Sequence, residues 1–466
     1  MGRKVEAVVI GAGPGGYVAA IRLGQLGVET VLVEKDSLGG ECLNYGCIPS
    51  KALISIGNLV HRVHNAERMG IRFKGLTIDA KRLQSWKQSV VRRLTKGIAH
   101  LCKAAGVDVL YGSATLTTPH QLDVISDEGK RSLEFESAII ATGSEPIPLR
   151  GFEADRERVI FPREALELTR IPKSMTVIGG GITGLEIGTM YAKLGTRVVV
   201  VELLEQLLPG ISPDIVRVIE RSLKRIGVEC HVRTKALGME KRDDGVVLDV
   251  ETPEEHMKIE SELLMVTVGR RPSTGGLGLD KAGVELDSDG FISVDRSMQT
   301  SVSGIYAIGD VIGIPYLAHK ASKEGIVAAE AIAGLNSEAD YRAMPAAIFT
   351  DPEIATVGLS EEEAVEQDYD IIVGKFPFSA SGRALTYGES DGFVKLIAER
   401  SSGEVLGVEM VGPEASELIS EAALAIEMGA VAEDIGLTVH PHPTLSESLM
   451  EAAEAALGRA IHIPKR

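Results

Sequence analysis

The sequence predicts an α/β fold with two units of the same design, followed by a separate α+β region. Residues 5–34 and 174–202 share one pattern: an apolar run, a GxGxxG turn, an amphipathic segment and a second apolar run ending in glutamate. In both units the first glycine of the turn lies 23 residues before that glutamate. Beyond residue 342 no GxGxxG occurs, and the character of the chain changes. We therefore expect two βαβ units and a third region of different architecture.

The first GxGxxG turn has the features of a dinucleotide phosphate site. Gly11 allows a tight turn off the strand, Gly13 lets the backbone approach a pyrophosphate, and Gly16 lets the helix pack closely on the strand. The helix N-terminus offers free N–H groups and a partial positive charge to the phosphates. Glu34 is placed to accept hydrogen bonds from a ribose diol. A Rossmann-like unit is predicted.

The second turn repeats this arrangement with Gly179, Gly181, Gly184 and Glu202. Two copies with matching strand, helix and acidic residue are strong evidence for two bound dinucleotides. A carboxylate at Glu202 repels a 2′-phosphate, and two leucines follow it where an arginine would receive that phosphate. We therefore predict that the second unit binds NAD rather than NADP.

The region after residue 342 is predicted to be a C-terminal α+β domain. Its segments show the alternation of strands or the periodicity of amphipathic helices. The strand-like segments are 393–399 and 404–412, and the helix-like segments are 414–430 and 445–460.

Composition and charge exclude several classes of protein. The chain has 466 residues, and 66 Asp and Glu against 49 Lys and Arg give a net charge of −17, which argues against a nucleic-acid partner. Four cysteines do not make the framework of a secreted disulfide scaffold. The N-terminus has no signal-peptide layout, and no apolar run is long enough to span a membrane. We expect a cytoplasmic protein.

Cys42 and Cys47 lie five residues apart in GGECLNYGCIPSKAL. Five residues of regular helix rise about 7.5 Å, whereas bridged Cα atoms usually lie within about 6.8 Å, so a bridge demands a distorted turn. Gly46 and Pro49 supply local irregularity. A buried structural thiol pair, a zinc site that lacks evident further ligands, and a redox-active disulfide beside a cofactor are the three interpretations. We favour the redox disulfide.

Near the C-terminus, HPHPTLSES places Glu447 five residues after His442. A catalytic histidine needs a second group that fixes its tautomer. Such spacing is often structural. Beside a redox disulfide it gains weight, because thiol–disulfide exchange needs a base to form the thiolate.

Together these segments resemble the flavoprotein disulfide reductases, and within them the members that oxidise dihydrolipoyl groups with NAD⁺. The resemblance covers nearly the whole chain. Its motifs are GAGPGGYVAA, GGECLNYGCIPSKAL, GGGITGLE, VTVGRRP, GIYAIGD, LAHKA and HPHPTLSE.

The resemblance implies four regions. Residues 1–146 would form the first part of an FAD-binding domain, 147–272 an NAD-binding domain, 273–342 a central region completing the FAD site, and 343–466 a C-terminal dimerisation domain.

The resemblance also assigns residues to each cofactor. The residues implied at the FAD site are Gly11, Gly13, Gly16, Glu34, Lys51, Gly112, Thr142, Gly143, Asp310 and Ala318. The residues implied at the NAD site are Gly179, Gly181, Ile182, Gly184, Glu186, Glu202, Ala236 and Gly269. Within these sets, Lys51 would lie near the flavin, paired with Glu186, and Ile182 would gate the nicotinamide pocket.

The implied reaction begins when His442, oriented by Glu447 and supplied by the other subunit of a homodimer, removes a proton from a substrate dithiol. The thiolate attacks Cys42, and electrons pass from Cys47 through FAD to NAD⁺. The implied partner is a lipoylated acyltransferase or carrier protein of a 2-oxoacid dehydrogenase or glycine cleavage complex, with no metal, nucleic acid or membrane. A family member acting on another disulfide, a metal or a quinone, and a chain that serves mainly as a docked subunit, are the alternatives.

Three positions depart from the family pattern. Ser273 stands where asparagine is usual, Tyr316 where methionine is common, and Pro441 where alanine is frequent. None is expected to touch the sulfurs.

Overall fold

The computed structural model describes residues 3–464. Its first unit is a βαβ fold on a seven-stranded sheet, whose main path runs in the order β3-β2-β1-β6-β5-β4. The first three strands and β6 are parallel, whereas β4, β5 and β6 form an antiparallel meander. The strands are β1 (Arg3–Ile10), β2 (Thr30–Glu34), β3 (Asp108–Tyr111), β4 (Ser113–Thr118), β5 (Gln121–Ser126) and β6 (Gly129–Ile140). The helices are α1 (Pro14–Gln25), α2 (Gly40–Asn44), α3 (Cys47–Asn65) and α4 (Ala80–Ala104).

The second unit is a parallel five-stranded sheet in the order β11-β10-β9-β15-β8. An antiparallel three-stranded sheet, β12-β13-β14, is inserted before the last of its parallel strands. The strands are β8 (Val159–Ile160), β9 (Ser174–Ile178), β10 (Arg197–Val201), β11 (Glu229–His231), β12 (Lys235–Arg242), β13 (Gly245–Glu251), β14 (His256–Ser261) and β15 (Leu263–Val266). The helices are α5 (Pro162–Ala165), α6 (Ile182–Lys193) and α7 (Pro213–Arg225).

The chain enters and leaves the second unit through one two-stranded ribbon. Strand β7 (Ser144–Pro146) pairs antiparallel with β16 (Arg270–Pro272), so the two crossings lie side by side. The chain then returns to the first unit, where β17 (Ile305–Ala307) joins the sheet beside β6.

Two further helices belong to this returning segment, α8 (Leu279–Ala282) and α9 (Ala318–Ile332). Helix α9 packs closely on α1, because a Cβ on Gly325 would lie 2.6 Å from the carbonyl oxygen of Gly15. Residues after the second unit therefore complete the first one, as the expected central region requires.

The C-terminal region is an antiparallel five-stranded sheet covered by helices, in the order β18-β19-β22-β21-β20. The strands are β18 (Ala346–Ile348), β19 (Glu353–Gly358), β20 (Ile371–Pro377), β21 (Phe393–Glu399) and β22 (Val405–Gly412). The helices are α10 (Glu361–Glu366), α11 (Gly382–Tyr387), α12 (Ala415–Glu427), α13 (Ala432–Leu437) and α14 (Glu447–Ala456). The two strands and two helices predicted for this region are confirmed, with α14 ending four residues before the predicted limit.

One hydrophobic core joins three regions. It contains side chains of α3, one face of the second unit's parallel sheet, and C-terminal residues such as Ile348 and Phe393. Helix α3, which begins at Cys47, is therefore anchored in the second unit and the C-terminal region. Within residues 3–464 none of the helices combines the length and apolar character needed to cross a membrane.

Candidate functional site

Cys42 and Cys47 form a disulfide at a break between two helices. Helix α2 ends at Asn44, and α3 begins at Cys47 itself, with Gly46 as its N-cap. The two Cα atoms are 4.6 Å apart, closer than five residues of regular helix allow. The predicted distortion is thus confirmed, and the cysteines are bonded to each other rather than to a metal.

One turn after Cys47, Lys51 is held by a buried carboxylate of the second unit. Its Nζ lies 2.8 Å from Oε2 of Glu186, whose side chain is only 6% exposed. The other oxygen of Glu186 accepts a hydrogen bond of 2.8 Å from the amide of Phe349, and the Lys51 ammonium lies 4.5 Å from the centre of the Phe349 ring. The expected Lys51–Glu186 pair is therefore present. No sequence motif indicates the contact between Phe349 and Glu186, because the two residues lie 163 positions apart along the chain.

The first phosphate turn leaves space where a ligand would approach. Gly11 has a φ of +99°, and a Cβ there would lie 2.4 Å from the Ala141 carbonyl oxygen. A Cβ on Gly16 would collide with the Gly11 carbonyl. A Cβ on Gly13 would meet nothing within 4 Å, and Gly13 caps α1 without a side-chain hydrogen bond. The backbone at Gly13, where α1 begins, therefore borders open space, as a pyrophosphate site requires.

The second turn has the same construction. Gly179 has a φ of +106°, and a Cβ there would lie 2.5 Å from the Thr267 carbonyl oxygen. A Cβ on Gly184 would lie 2.2 Å from the Gly179 carbonyl oxygen, whereas a Cβ on Gly181 would meet nothing within 4 Å. In both units the outer glycines serve the packing and the middle glycine borders the open space.

Glu34 holds its own phosphate turn through backbone amides. Its Oε2 accepts from the amide of Ala12 at 2.7 Å, and its Oε1 accepts from that of Asp36 at 2.8 Å. The side chain is buried, and each carboxylate oxygen keeps a further acceptor position for a ribose hydroxyl. The sequence motif predicts only the ribose contact of this carboxylate.

Glu202 makes the equivalent bonds in the second unit. Its Oε2 accepts from the amide of Gly180 at 2.6 Å, and its Oε1 accepts from that of Leu204 at 2.8 Å. Leu203 and Leu204 are 63% and 50% exposed. Among the described residues Glu202 forms no ion pair, and the neighbouring Arg233 pairs instead with Glu205. The carboxylate and the two leucines match the prediction for NAD.

Further residues expected at FAD lie around the carboxyl ends of the first sheet. Gly112, with a φ of +152°, donates its amide to the carbonyl of Glu34 at 2.9 Å. Thr142 donates its hydroxyl to the Ser273 carbonyl at 2.8 Å, and the Ser273 amide donates to the Gly143 carbonyl at 2.9 Å. Ser273 thus ties the returning segment to this turn through its backbone.

Asp310 accepts a hydrogen bond of 2.5 Å from the Ser144 hydroxyl, which also accepts one of 2.8 Å from Arg270. These two hydrogen bonds connect the segment after β17 with the two-stranded ribbon. Ala318 is the first residue of α9 and is half-buried. Tyr316 donates weakly to the Arg270 carbonyl at 3.4 Å, so it lines the same region.

The residues expected at NAD are more widely spread. Ile182 begins α6 and is 47% exposed, beside the open space at Gly181. Ala236 is half-buried on β12 at an irregular register. Gly269 has a φ of +122° and accepts from the Ile147 amide at 3.0 Å.

His442 and Glu447 form the expected pair. Nδ1 of His442 lies 2.9 Å from one Glu447 oxygen, and the other oxygen accepts from the Thr444 amide at 2.7 Å. Burial alone would raise the pKa of Glu447, but these two hydrogen bonds hold it below its ordinary value. The His442 side chain is 80% exposed, and no hydrogen bond or ion pair within residues 3–464 connects it to Cys42 or Cys47. The pair faces outward from its own chain.

Exposed apolar side chains lie on α12, which His440 contacts through Glu421, at the end of α13, and in the segment before His442. The exposed fractions of Leu424, Met428, Leu437 and Val439 are 63%, 75%, 71% and 93%. Exposed apolar clusters of this kind mark protein interfaces.

Comparison with known proteins agrees with this architecture. Residues 5–325 match the pyridine nucleotide-disulphide oxidoreductase family, and residues 344–453 match its dimerisation domain, which supports a homodimer. The chain is 50% identical to the dihydrolipoyl dehydrogenase of Haloferax volcanii, with 99% of this chain and 98% of that protein covered. It is 48% identical to that of Halobacterium salinarum, with the same coverage.

Among solved structures, LpdA from Mycobacterium tuberculosis matches with a TM-score of 0.90 and 29% identity, covering 97% of this chain and 99% of that one. Both dinucleotide units, the disulfide and the C-terminal region lie within the matched length. The chain therefore belongs to the pyridine nucleotide-disulphide oxidoreductase family.

Proposed function

We propose that this protein oxidises protein-bound dihydrolipoyl groups to the disulfide and reduces NAD⁺, using the Cys42–Cys47 disulfide and FAD. The observation that supports this most directly is the disulfide at the start of α3, one turn before the buried Lys51–Glu186 pair. The full-length relatives named dihydrolipoyl dehydrogenase support the choice of substrate.

The two dinucleotide units fit the two cofactors. The turn at Gly13 and the carboxylate of Glu34 would hold the pyrophosphate and ribose of FAD. Gly181 and Glu202 would hold those of NAD. When bound, FAD supplies the two-electron redox chemistry that connects a dithiol with a hydride acceptor.

The protein's own residues perform the thiol chemistry. His442 accepts the proton of one substrate thiol, and the resulting thiolate attacks Sγ of Cys42. The Cys42–Cys47 bond breaks, a mixed disulfide forms, and Cys47 leaves as a thiolate. The second substrate sulfur displaces Cys42 and closes the substrate disulfide, and its proton passes to the departing Cys42, which becomes a thiol. Two electrons have then passed to the cysteine pair. The Lys51 ammonium favours the thiolate form of a nearby cysteine.

His442 would act on the cysteine pair of the partner subunit. The exposed imidazole, its link to Glu447 and the adjoining apolar surface all belong to the region that matches the dimerisation domain. Each active site would thus combine residues of two subunits. In an isolated monomer, no His442 would lie beside the cysteine pair.

We further infer that the natural substrate is carried by a lipoylated acyltransferase or carrier protein of a multienzyme complex in the cytoplasm. The chemical class follows from the proposed reaction, because a carrier that is left with a dihydrolipoyl group needs its disulfide regenerated after each transfer. Copurification of the protein with a lipoylated carrier tests this association separately from activity.

The variant Cys47→Ser tests the central proposal. It removes the leaving thiolate, so turnover of dihydrolipoamide with NAD⁺ should be lost while FAD stays bound. Flavin absorbance of the purified variant measures the second point, and NADH formation the first. Retained dihydrolipoamide turnover in this variant would overturn the assignment.

A further inference from the structure

Helices α3 and α6 are joined by two polar contacts about two helical turns apart. The first is the Lys51–Glu186 pair. In the second, Nζ of Lys193 donates to Oδ1 of Asn58 at 2.5 Å. Asn58 follows Lys51 in α3 by the same number of residues as Lys193 follows Glu186 in α6. Because both contacts advance together, the helices run side by side in one direction, and their relative register is defined at two points.

Both contacts also hold the segment between β18 and β19. Glu186 accepts from the amide of Phe349, and Lys193 forms an ion pair with Asp351. The redox helix, the second unit and the C-terminal region therefore meet along one seam.

The second contact is deeply enclosed. The Lys193 side chain is 1% exposed, and burial lowers the pKa of its ammonium against the attraction of Asp351. The helices approach closely beside it, since a Cβ on Gly57 would lie 3.4 Å from the Met190 carbonyl oxygen. A buried cation is tolerated only with well-placed partners, and such a contact fixes geometry because a shifted helix would leave the charge unpaired.

We propose that Lys193 is a positioning residue that fixes α3 against α6 through Asn58 and Asp351, and thereby places Cys47 and Lys51 beside the flavin. This inference rests on the disulfide–flavin couple of the proposed function. It does not depend on the identity of the dithiol substrate.

The test uses the FAD-containing protein and the variant Lys193→Met, which keeps the length of the side chain but removes its charge and donors. Anaerobic reduction with one equivalent of NADH is followed at long wavelength, where a thiolate close to oxidised flavin absorbs. We expect this absorbance to fall by about half or more, and the Cys47 peptide to be alkylated by iodoacetamide at a changed rate, because small displacements at such a site have large effects.

Lys87→Met is the matched control. Lys87 is also buried, and its Nζ donates to the Leu166 carbonyl at 2.8 Å rather than to Asn58 or Asp351. A general loss of stability would affect both variants equally, whereas loss of positioning affects only Lys193→Met. If Lys193→Met keeps the wild-type absorbance and alkylation rate, the proposal is overturned.

Asp351→Asn provides a second measurement if Lys193→Met does not fold. Asparagine keeps a hydrogen-bond acceptor but removes the charge, so we expect smaller changes in the long-wavelength absorbance and in the alkylation rate, in the same directions as for Lys193→Met. An unchanged spectrum and alkylation rate would then refute the proposal. Because the readout uses NADH and not dihydrolipoamide, a different natural substrate would leave this result intact. Absence of the long-wavelength band in the wild-type protein would instead contradict the proposed function.

Discussion

Glu34 and Glu202 make the same two backbone hydrogen bonds in two units of different sequence. Each accepts from the amide of the second residue of its own GxGxxG turn and from the amide two residues beyond itself. The internal repeat thus extends to individual atoms. These carboxylates fix the phosphate turn before any ribose is bound, and this gives them a structural task in addition to the expected cofactor contact.

Glu202→Gln should weaken NAD⁺ binding and leave the flavin in place. The amide replaces one acceptor by a donor that faces a backbone N–H, and an unsatisfied buried group costs about 1–3 kcal/mol. We expect the KM for NAD⁺ to rise about 5- to 150-fold, as this free energy implies. Steady-state kinetics at saturating dihydrolipoamide measure it. Glu34→Gln is the counterpart and should instead lower FAD retention; similar losses of both cofactors in each variant would contradict the separation of the two sites.

His442→Gln should slow thiol chemistry without affecting the reduction of flavin by NADH. Positioned general bases contribute about 10²–10⁴-fold to rate, so kcat with dihydrolipoamide should fall within that range. Stopped-flow reduction by NADH is the control, because no substrate thiol is involved. Glu447→Gln should show a smaller loss of the same kind, since it leaves the imidazole present but removes the charge that orients it. A loss in the NADH half-reaction would contradict the assigned role.

Thiol reactivity should separate the working cysteines from the other two. Cys102 is buried, and burial raises its pKa; burial raises the pKa of Cys230 to about 12. Cys230 therefore stays protonated at pH 8, and thiolates are the reactive species. In NADH-reduced protein, iodoacetamide should label Cys42 and Cys47 and spare the others, as peptide mass spectrometry would report. Early labelling of Cys230 would contradict this prediction.

A buried ion cluster connects the second unit to the C-terminal sheet. Lys395, with 3% of its side chain exposed, pairs with Glu409 at 2.7 Å, Glu361 at 2.8 Å and Asp214 at 3.3 Å, and Lys375 also pairs with Asp214. Lys395→Met would leave Glu409 buried without its partner, at a cost of about 3–5 kcal/mol. The melting temperature should therefore fall by several degrees. The double variant Lys395→Met/Glu409→Leu should recover part of the loss, and an additive loss would contradict the coupling.

The same cluster predicts how stability depends on pH. Burial alone would raise the pKa of Asp214, but hydrogen bonds from Lys375 and Lys395 hold this pKa below its ordinary 3.8. Burial likewise opposes the charge on Lys395, yet Glu361 and Glu409 hold its pKa above the ordinary 10.5. The Asp214 contribution is present above pH 3.8 and is lost as pH falls through its lowered pKa. The Lys395 contribution is present below pH 10.5 and is lost as pH rises through its raised pKa.

Melting curves should consequently show a decline at acid pH that is smaller in Lys395→Met, because part of the stabilisation of ionised Asp214 is absent from that variant. Between pH 5 and pH 9 the difference between the two proteins should stay constant. A difference that grows steadily across that interval would contradict this attribution.

Local motifs allowed the two nucleotide turns and the cysteine segment to be predicted, because each is encoded within a short stretch of chain. The contacts that organise the site are not encoded in this way. Lys193 lies 135 positions from Asn58 and 158 from Asp351, and no spacing rule connects such residues. The sequence analysis also does not predict the antiparallel sheet formed by β12, β13 and β14, since these strands are inserted before the last parallel strand without a distinct motif.

The paired strands β7 and β16 close the base of the second unit. Its entry and exit are hydrogen-bonded neighbours, with Ser144 opposite Pro272, so the whole unit forms a loop closed at its base. A segment closed in this way can be inserted, removed or exchanged without rerouting the surrounding chain. Together with the shared geometry of Glu34 and Glu202, this makes the second unit a nucleotide module of the same design as the first, placed within the chain of the first.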